Sequence, residues 1–404
     1  MSQTWPGGII SKTPPTVVGP TGGEGGSAPG VWTLDQAMGY EKLGLWPKPL
    51  IPRELWSWGA NGSGQLGLGN SGGYISSPNQ VGALTDWSSV SGGVSHSVAR
   101  KTDGTLWSWG GNNAGQLGLG NTTNYSSPKQ IGALATWSLC TAGRWGSAAI
   151  KTDGTLWTWG QGSTYGALGL GNTTDYSSPK QVGALTTWST VKARWWSVGA
   201  IKTDGTLWTW GENDAGQLGV GNTTYYSSPK QVGALTTWAT INFGSNFSIA
   251  TKTDGTLWTW GRNTQGQLGL GNTTSYSSPK QVGALTTWSA VAGVAGNTLA
   301  RKTDGTLWSW GGNGDGQLGL GNTTGYSSPK QIGSLTTWLA IAAGSYSFFA
   351  IKTDGTLWSW GGNYYRQLGL GDAINRSSPT QVGALTTWMS AAGGAIFTFA
   401  IKRT

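Results

Sequence analysis

Polar and apolar positions alternate along this chain in a block that keeps returning. "KTDGTLWSWG" begins at Lys101 and recurs, with one residue changed or none, at 151, 202, 252, 302 and 352. Its polar half carries Asp-Gly between two β-rich runs, a hairpin signal, because a tight turn needs positive φ and glycine adopts it without steric cost. In the apolar half "TLWTWG", two tryptophans stand two residues apart and share one face of a strand, with Leu257 on the other. A strand apolar on both faces must be covered on both. The preceding segment, such as "ATINFGSNFSIATK", reads as strand, and the following "NTQGQLGLGNTTSYSSPKQVGAL" as a glycine-rich loop, with "SSPK" a blade-edge turn.

Three sets of tryptophans recur in fixed order. They start at Trp56, Trp58 and Trp87, and each has seven members, so residues 55–404 divide into seven copies of 50. A repeated unit of short strands of this length fits a β-propeller, whose blades each lie between two neighbours and so need apolar residues on both faces. The first copy, "RELWSWG" at 53, lacks its leading strand, while the last, "AIFTFAIKRT", supplies a strand with no partner after it. Pairing the two closes the ring and removes exposed sheet edges. The expected fold is therefore all-β: a seven-bladed propeller over 55–404, preceded by an arm over 1–54.

Composition sharpens the picture. The 404 residues include 70 glycines and 27 tryptophans, only 10% are charged, and the net charge is +9. Each Lys of "KTDG" is matched by the Asp two residues on. The spare lysines are those of "SSPK": Lys129, Lys180, Lys230, Lys280 and Lys330. A ring of positive charge could meet nucleic acid or acidic partners, but solubility accounts for it sufficiently. The single cysteine, Cys140, allows no intrachain disulfide. No apolar run reaches the ~18 residues of a membrane span, and the first residues lack the apolar core of a secretion signal.

"KTDGTLWSWGGNGDGQLGLGNTTGYSSPKQIG" resembles the RCC1 (regulator of chromosome condensation) repeat, marked by "DGTLWSWG", "GQLGLG" and "SP". The resemblance covers 55–404 and implies seven blades. Departures are "YGALGLG" at 165, with one extra residue and no Gln, and "YYRQLGLGDAINRSSPT" at 364. The family includes a nucleotide-exchange factor for a small GTPase, ubiquitin-ligase modules, a plant ultraviolet photoreceptor and secreted enzyme inhibitors, so fold does not fix function.

Residues 1–30 are rich in Gly, Pro, Ser and Thr and read as an extended arm. "TLDQ" then offers Thr33 as N-cap with Gln36 three residues on, and Gly44 and Pro47 as stop signals, predicting a short helix over 34–43. That helix is too short to persist alone. Trp32, Leu34, Met38, Leu43 and Trp46 are its candidate anchoring residues. "APGVWTLDQA…GLWP" resembles a short element of tailed-bacteriophage structural proteins.

Candidate chemistry is sparse. His96 is the only histidine and has no partner at metal-ligand spacing. Six of the sixteen acids belong to "TDG" turns, while Asp175, Glu212, Asp214, Asp315 and Asp372 fall in loops. No enzyme, metal or cofactor is expected; a glycosidase pair using Asp214 and Asp315 has no motif behind it.

The copies differ most after the third tryptophan: "GGVSHS", "AGRWGS", "KARWWS", "FGSNFS", "GVAGNT", "AGSYSF" and "GGAIFT". Trp145, Trp196, Asn246 and Tyr346 share one offset, Arg144, Arg194 and Trp195 stand beside two of them, and Arg194 replaces the usual glycine. Arg with Trp suits cation–π stacking and ligand contact, which makes these seven residues the candidate binding site, whether exposed or filling the central shaft. A second variable set, after "WG", holds Glu212, Arg262, Tyr364, Tyr365 and Arg366.

Three functions compete. The first is a non-enzymatic virion protein, made in the host cytoplasm and present in several copies. Residues 1–54 would join it to other virion proteins, and its propeller would decorate the particle or bind a host surface glycan or protein. The second is a cellular regulator binding a GTPase or chromatin. The third is a secreted lectin or inhibitor.

Overall fold

A computed structural model describes Gly23, Glu24, Leu34–Gln36, Met38, Pro47, Lys48 and residues 51–404. The chain divides into Met1–Pro52 and Arg53–Thr404. In the first unit, Gly23–Glu24 pairs in parallel with Pro47–Lys48, and Leu34, Asp35, Gln36 and Met38 are helical and exposed, inside the expected helix. Trp32, Leu43 and Trp46 lie outside the described residues.

The second unit is a propeller of seven four-stranded antiparallel sheets. Blade 2 shows the plan: Trp87–Gly92, His96–Lys101, Leu106–Gly110 and Tyr125–Gln130, in sequence order from the shaft outward. Blades 3 to 7 repeat it, starting at Trp137, Trp188, Trp238, Trp288 and Trp338. The first strands touch one another around the ring and line a central shaft. Two readings from sequence need correction. The run before "KTDG" is two strands joined by a tight turn, not one. "YSSPKQ" is the outermost strand, not a turn; an edge strand tolerates its proline because the missing N–H would face outward.

Blade 1 is assembled from both ends of the propeller sequence: Trp388–Gly393, Phe397–Arg403, Arg53–Ala60 and Tyr74–Gln80. Phe397–Arg403 pairs with the opening tryptophan strand from Arg53↔Arg403 to Gly59↔Phe397, the expected closure.

The three tryptophan sets hold different parts of this frame. The third-set residue opens each innermost strand and is buried; its ring packs against both others of its blade, edge to face in most copies, as Trp87 does Trp107 at 6.2 Å and Trp109 at 5.9 Å. The second-set residue is fully buried, and its indole Nε1–H donates to a carbonyl of the preceding blade's loop: Trp109 to Gln65 O at 2.9 Å. In the copy that lacks the Gln, Ala167 O serves Trp210 equally at 3.1 Å, because the bond needs only main chain. Trp58 to Gln367 O, at 2.8 Å, is the version that closes the ring. Gly67, at φ +75°, lies so close to Trp109 that a Cβ there would fall 2.8 Å from Nε1.

The first-set Trp is half-buried and, in the six copies with "TDGT", donates to its Thr, as Trp107 Nε1 does to Thr105 Oγ1 at 2.9 Å. Asp103 Oδ1 accepts both the N–H and the O–H of Thr105, which holds the turn and keeps its carboxyl below the usual range despite partial burial. The "KTDG" lysines balance the charge of the aspartates two residues on without forming an ion pair with them. Each lies over the first-set indole, Lys151 at 3.9 Å from the Trp157 centroid and Lys352 at 3.8 Å from that of Trp358. The ring face thus stabilises the charge alongside its attraction to the aspartate. Each of seven apolar clusters straddles two adjacent blades, so the core is a ring of inter-blade layers.

Candidate functional site

Twenty-one of the 27 tryptophans belong to the three structural sets. Of the other six, Trp5, Trp32 and Trp46 fall in the first 54 residues, and the remaining three are Trp145, Trp195 and Trp196. These three meet at the rim of the shaft, in the turns joining the first two strands of blades 3 and 4.

Trp145 meets Trp196 edge to face at 5.9 Å. The Arg144 guanidinium sits among all three indoles, 4.5 Å from the Trp195 centroid, 5.5 Å from Trp196 and 5.6 Å from Trp145. The main chain locks the two turns together: Arg144 N–H donates to Trp195 O at 2.9 Å. Trp195 has φ +52° and Asn246 φ +80°, left-handed conformations that are uncommon for residues other than glycine and that concentrate at functional turns. Trp145 nevertheless keeps 37% of its surface exposed. Arginine with exposed aromatic rings is the composition of binding hot spots.

Two loops extend the patch with residues the sequence reading left out. Tyr165, in the loop carrying the extra residue, packs on Trp196 at 5.9 Å and on Tyr225 at 5.0 Å. The Tyr225 hydroxyl donates to Asp214, which pushes its own pKa up to about 12. Burial, then the neighbouring Asp214, raises the Glu212 carboxyl, while Arg144 and a hydrogen bond from Asn246 oppose the rise. The inserted residue before Tyr165, and a tyrosine at 225 where other copies have Asn, Asp, Ser or Gly, were the available signals.

Arg194 belongs to the shaft rather than the aromatic cluster. Its Nη2 donates to Gly344 O, on blade 7, at 2.9 Å, and burial lowers its pKa to about 10. Tyr346 is exposed on that same blade, three blades from blade 4, so the structure does not join it to the tryptophans. Of the second variable set, Glu212 and Arg262 stand on blades 4 and 5, while Tyr364, Tyr365 and Arg366 form a smaller cluster near the junction of blades 7 and 1. There Tyr365 faces Tyr74 at 6.1 Å, Arg366 lies 5.8 Å from the same ring, and Tyr364 donates to Asp315. Asp214 and Asp315 bond different tyrosines on different blades and make no catalytic pair.

His96 is fully buried between blades 2 and 3, with Nε2 3.0 Å from Ser147 Oγ; burial lowers its pKa to about 4, so it is neutral. Cys140 is buried and its thiol is pushed up to about 11. Neither is an available nucleophile. Among the described residues no group of His, Cys, Asp and Glu could hold a metal ion, and no helix is long and apolar enough to cross a membrane.

The regulator of chromosome condensation (RCC1) repeat model matches residues 54–100, 103–150, 153–200, 204–251, 254–300, 304–351 and 354–401. The chain belongs to the RCC1 repeat family. Among curated relatives, the ultraviolet-B receptor UVR8 of Arabidopsis thaliana is 33% identical over 165 residues, 40% of this chain and 37% of that one. Protein RCC2 of Mus musculus is 40% identical over 73 residues, 18% of this chain and 14% of that one. The matched stretches thus span well under half of these relatives. Prp20p of Saccharomyces cerevisiae, a structure reported with its binding properties to Gsp1p and histones, superposes with a TM-score of 0.79 at 20% identity, covering 88% of this chain and 92% of its own. Human WBSCR16 gives a TM-score of 0.78 at 18% identity, over 87% and 99%. These two establish the seven-bladed fold alone. The relatives favour the cellular-regulator reading over the virion one. The bacteriophage resemblance of the N-terminal segment finds no support in them, for the matched repeats begin at residue 54.

Proposed function

We propose that this RCC1-repeat protein is a non-enzymatic binding disc of the regulator kind, which holds a protein partner at the rim of blades 3 and 4. One observation carries the reading: the three tryptophans that the propeller frame does not use converge on Arg144, and Trp145 stays exposed. Rigid rings cost little conformational entropy on binding, and Glu212 and Asp214 beside them add hydrogen-bond acceptors at the edge. Relatives of this fold support a protein partner, since Prp20p is described as binding Gsp1p and histones. A photo-crosslinking amino acid at position 145, compared with one at Gly296 on the equivalent turn of blade 6, tests it in extracts of the source cell. The reading requires a discrete protein adduct at 145 that is lost on Arg144→Ala and absent at 296. Equal labelling at both positions would refute it.

A second reading rests on the "APGVWTLDQA…GLWP" string: attachment of several copies to a virus particle through residues 1–54. Deleting 1–50 should then release an intact propeller from purified particles, and retained association would remove that reading.

A further inference from the structure

The shaft encloses about 380 Å³ and its wall is lopsided. At the fourth residue after the opening tryptophan, blades 2 to 5 carry Ser91, Thr141, Lys192 and Asn242, whereas blades 6, 7 and 1 all carry alanine. A polar half thus faces a half trimmed to Cβ, which leaves room beside it. Lys192, Arg194, Arg144 and Arg100 all line this space, and among the described residues no carboxylate does. Glu212 acts on Arg144 only from outside the shaft.

The polar groups of this wall are donors in waiting. Ser91 Oγ accepts Ala142 N–H at 3.0 Å and Thr141 Oγ1 accepts Ala193 N–H at 3.3 Å, so each keeps its own O–H to give. The buried Nε–H groups of Arg100, Arg144 and Arg194 have no protein acceptor. Lys192 reaches the water of the shaft while protein surrounds it, and the resulting desolvation lowers its pKa. Several cations that meet no carboxylate inside the shaft repel one another there, an arrangement that a bound anion would relieve.

We propose that the shaft is a binding site for a phosphorylated small molecule carrying more than one negative charge, seated between Lys192 and the alanine wall, with Ser91 and Thr141 donating to it. The cavity is within the size range of small-molecule sites, and its charge sits at several heights, which suits more than one phosphate. The site adjoins the rim patch and shares Arg144 and Trp195 with it, whereas Trp145 lies outside it.

Calorimetric titration of the full chain with inorganic pyrophosphate tests this, with inorganic phosphate as the weaker comparator. One pyrophosphate should bind per chain, more tightly than phosphate. Binding should weaken at least ~10-fold in Lys192→Met, return in Lys192→Arg, and persist in Trp145→Ala. The ligand-free Lys192→Met protein should melt at or above the wild-type temperature, because it loses an unpaired cation. No pyrophosphate binding, or equal binding to wild type and Lys192→Met, would overturn the proposal. So would a lower melting temperature for ligand-free Lys192→Met, which would give Lys192 a structural partner instead.

Discussion

The second strand of each blade has two ends, and they behave oppositely. At the "KTDG" end, the six copies that carry it share one geometry: lysine over indole, aspartate on threonine, threonine on indole Nε1–H. At the shaft-rim end no two copies agree, and blades 3 and 4 place Arg144, Trp145, Trp195 and Trp196 there. The frame saturates one end and leaves the other free. In a repeat protein whose copies are this uniform, recognition therefore has to come from the departures.

The largest effect should come from breaking the frame at its seam. Removing residues 397–404 takes a strand out of blade 1 and leaves Arg53–Gly59 unpaired on that side. The propeller should lose cooperative unfolding altogether, as seen by circular dichroism and calorimetry. Next, Trp58→Ala should cost about 3–5 kcal/mol in urea unfolding, because it empties a fully buried site and deletes the bond to Gln367 O. Half-buried Trp56, whose Nε1 bonds only Glu54 nearby, should cost less when replaced by Ala.

Acid supplies a third test of the frame. His96 titrates at about 4 in the fold against 6.5 when exposed, so between these values the unfolded chain binds more protons. Stability should therefore fall as pH drops from about 6.5 to about 4, by about 3 kcal/mol in all. His96→Gln should flatten that window. Losses from the "TDG" aspartates, whose pKa values are depressed, come only below the ordinary carboxylate value near 3.8. The smallest effect on stability should belong to the rim: Trp145→Ala should change unfolding free energy by less than ~0.5 kcal/mol.

The frame was legible in the sequence because inter-blade burial writes apolar residues on both faces of a strand, and because Leu55–Gly59 visibly lacked its partner. The fourth strand was not, since "YSSPKQ" is polar, contains proline and sits at an edge where neither is penalised. The lysine–tryptophan contacts were missed because charge counting pairs each lysine with its nearest aspartate, whereas the hairpin turns it onto the indole. At the rim, Arg144, Trp145, Trp195 and Trp196 stood out as departures within their own copies. Tyr165, Tyr225 and Glu212 join them from loops that only the packing of blades 3 and 4 brings close. Tyr346 shares an offset with Trp145 but sits three blades beyond blade 4, so equal position in the repeat did not mean one site.

The affinity of the protein crosslinked at position 145, measured on wild type and on Trp145→Ala alongside their melting temperatures, tests the central claim most directly. Affinity should fall about 30-fold or more with the melting temperature unchanged, as a hot-spot residue outside the frame requires. Unchanged affinity, or a loss that merely follows a lowered melting temperature, would contradict a recognition site built from the blades' departures.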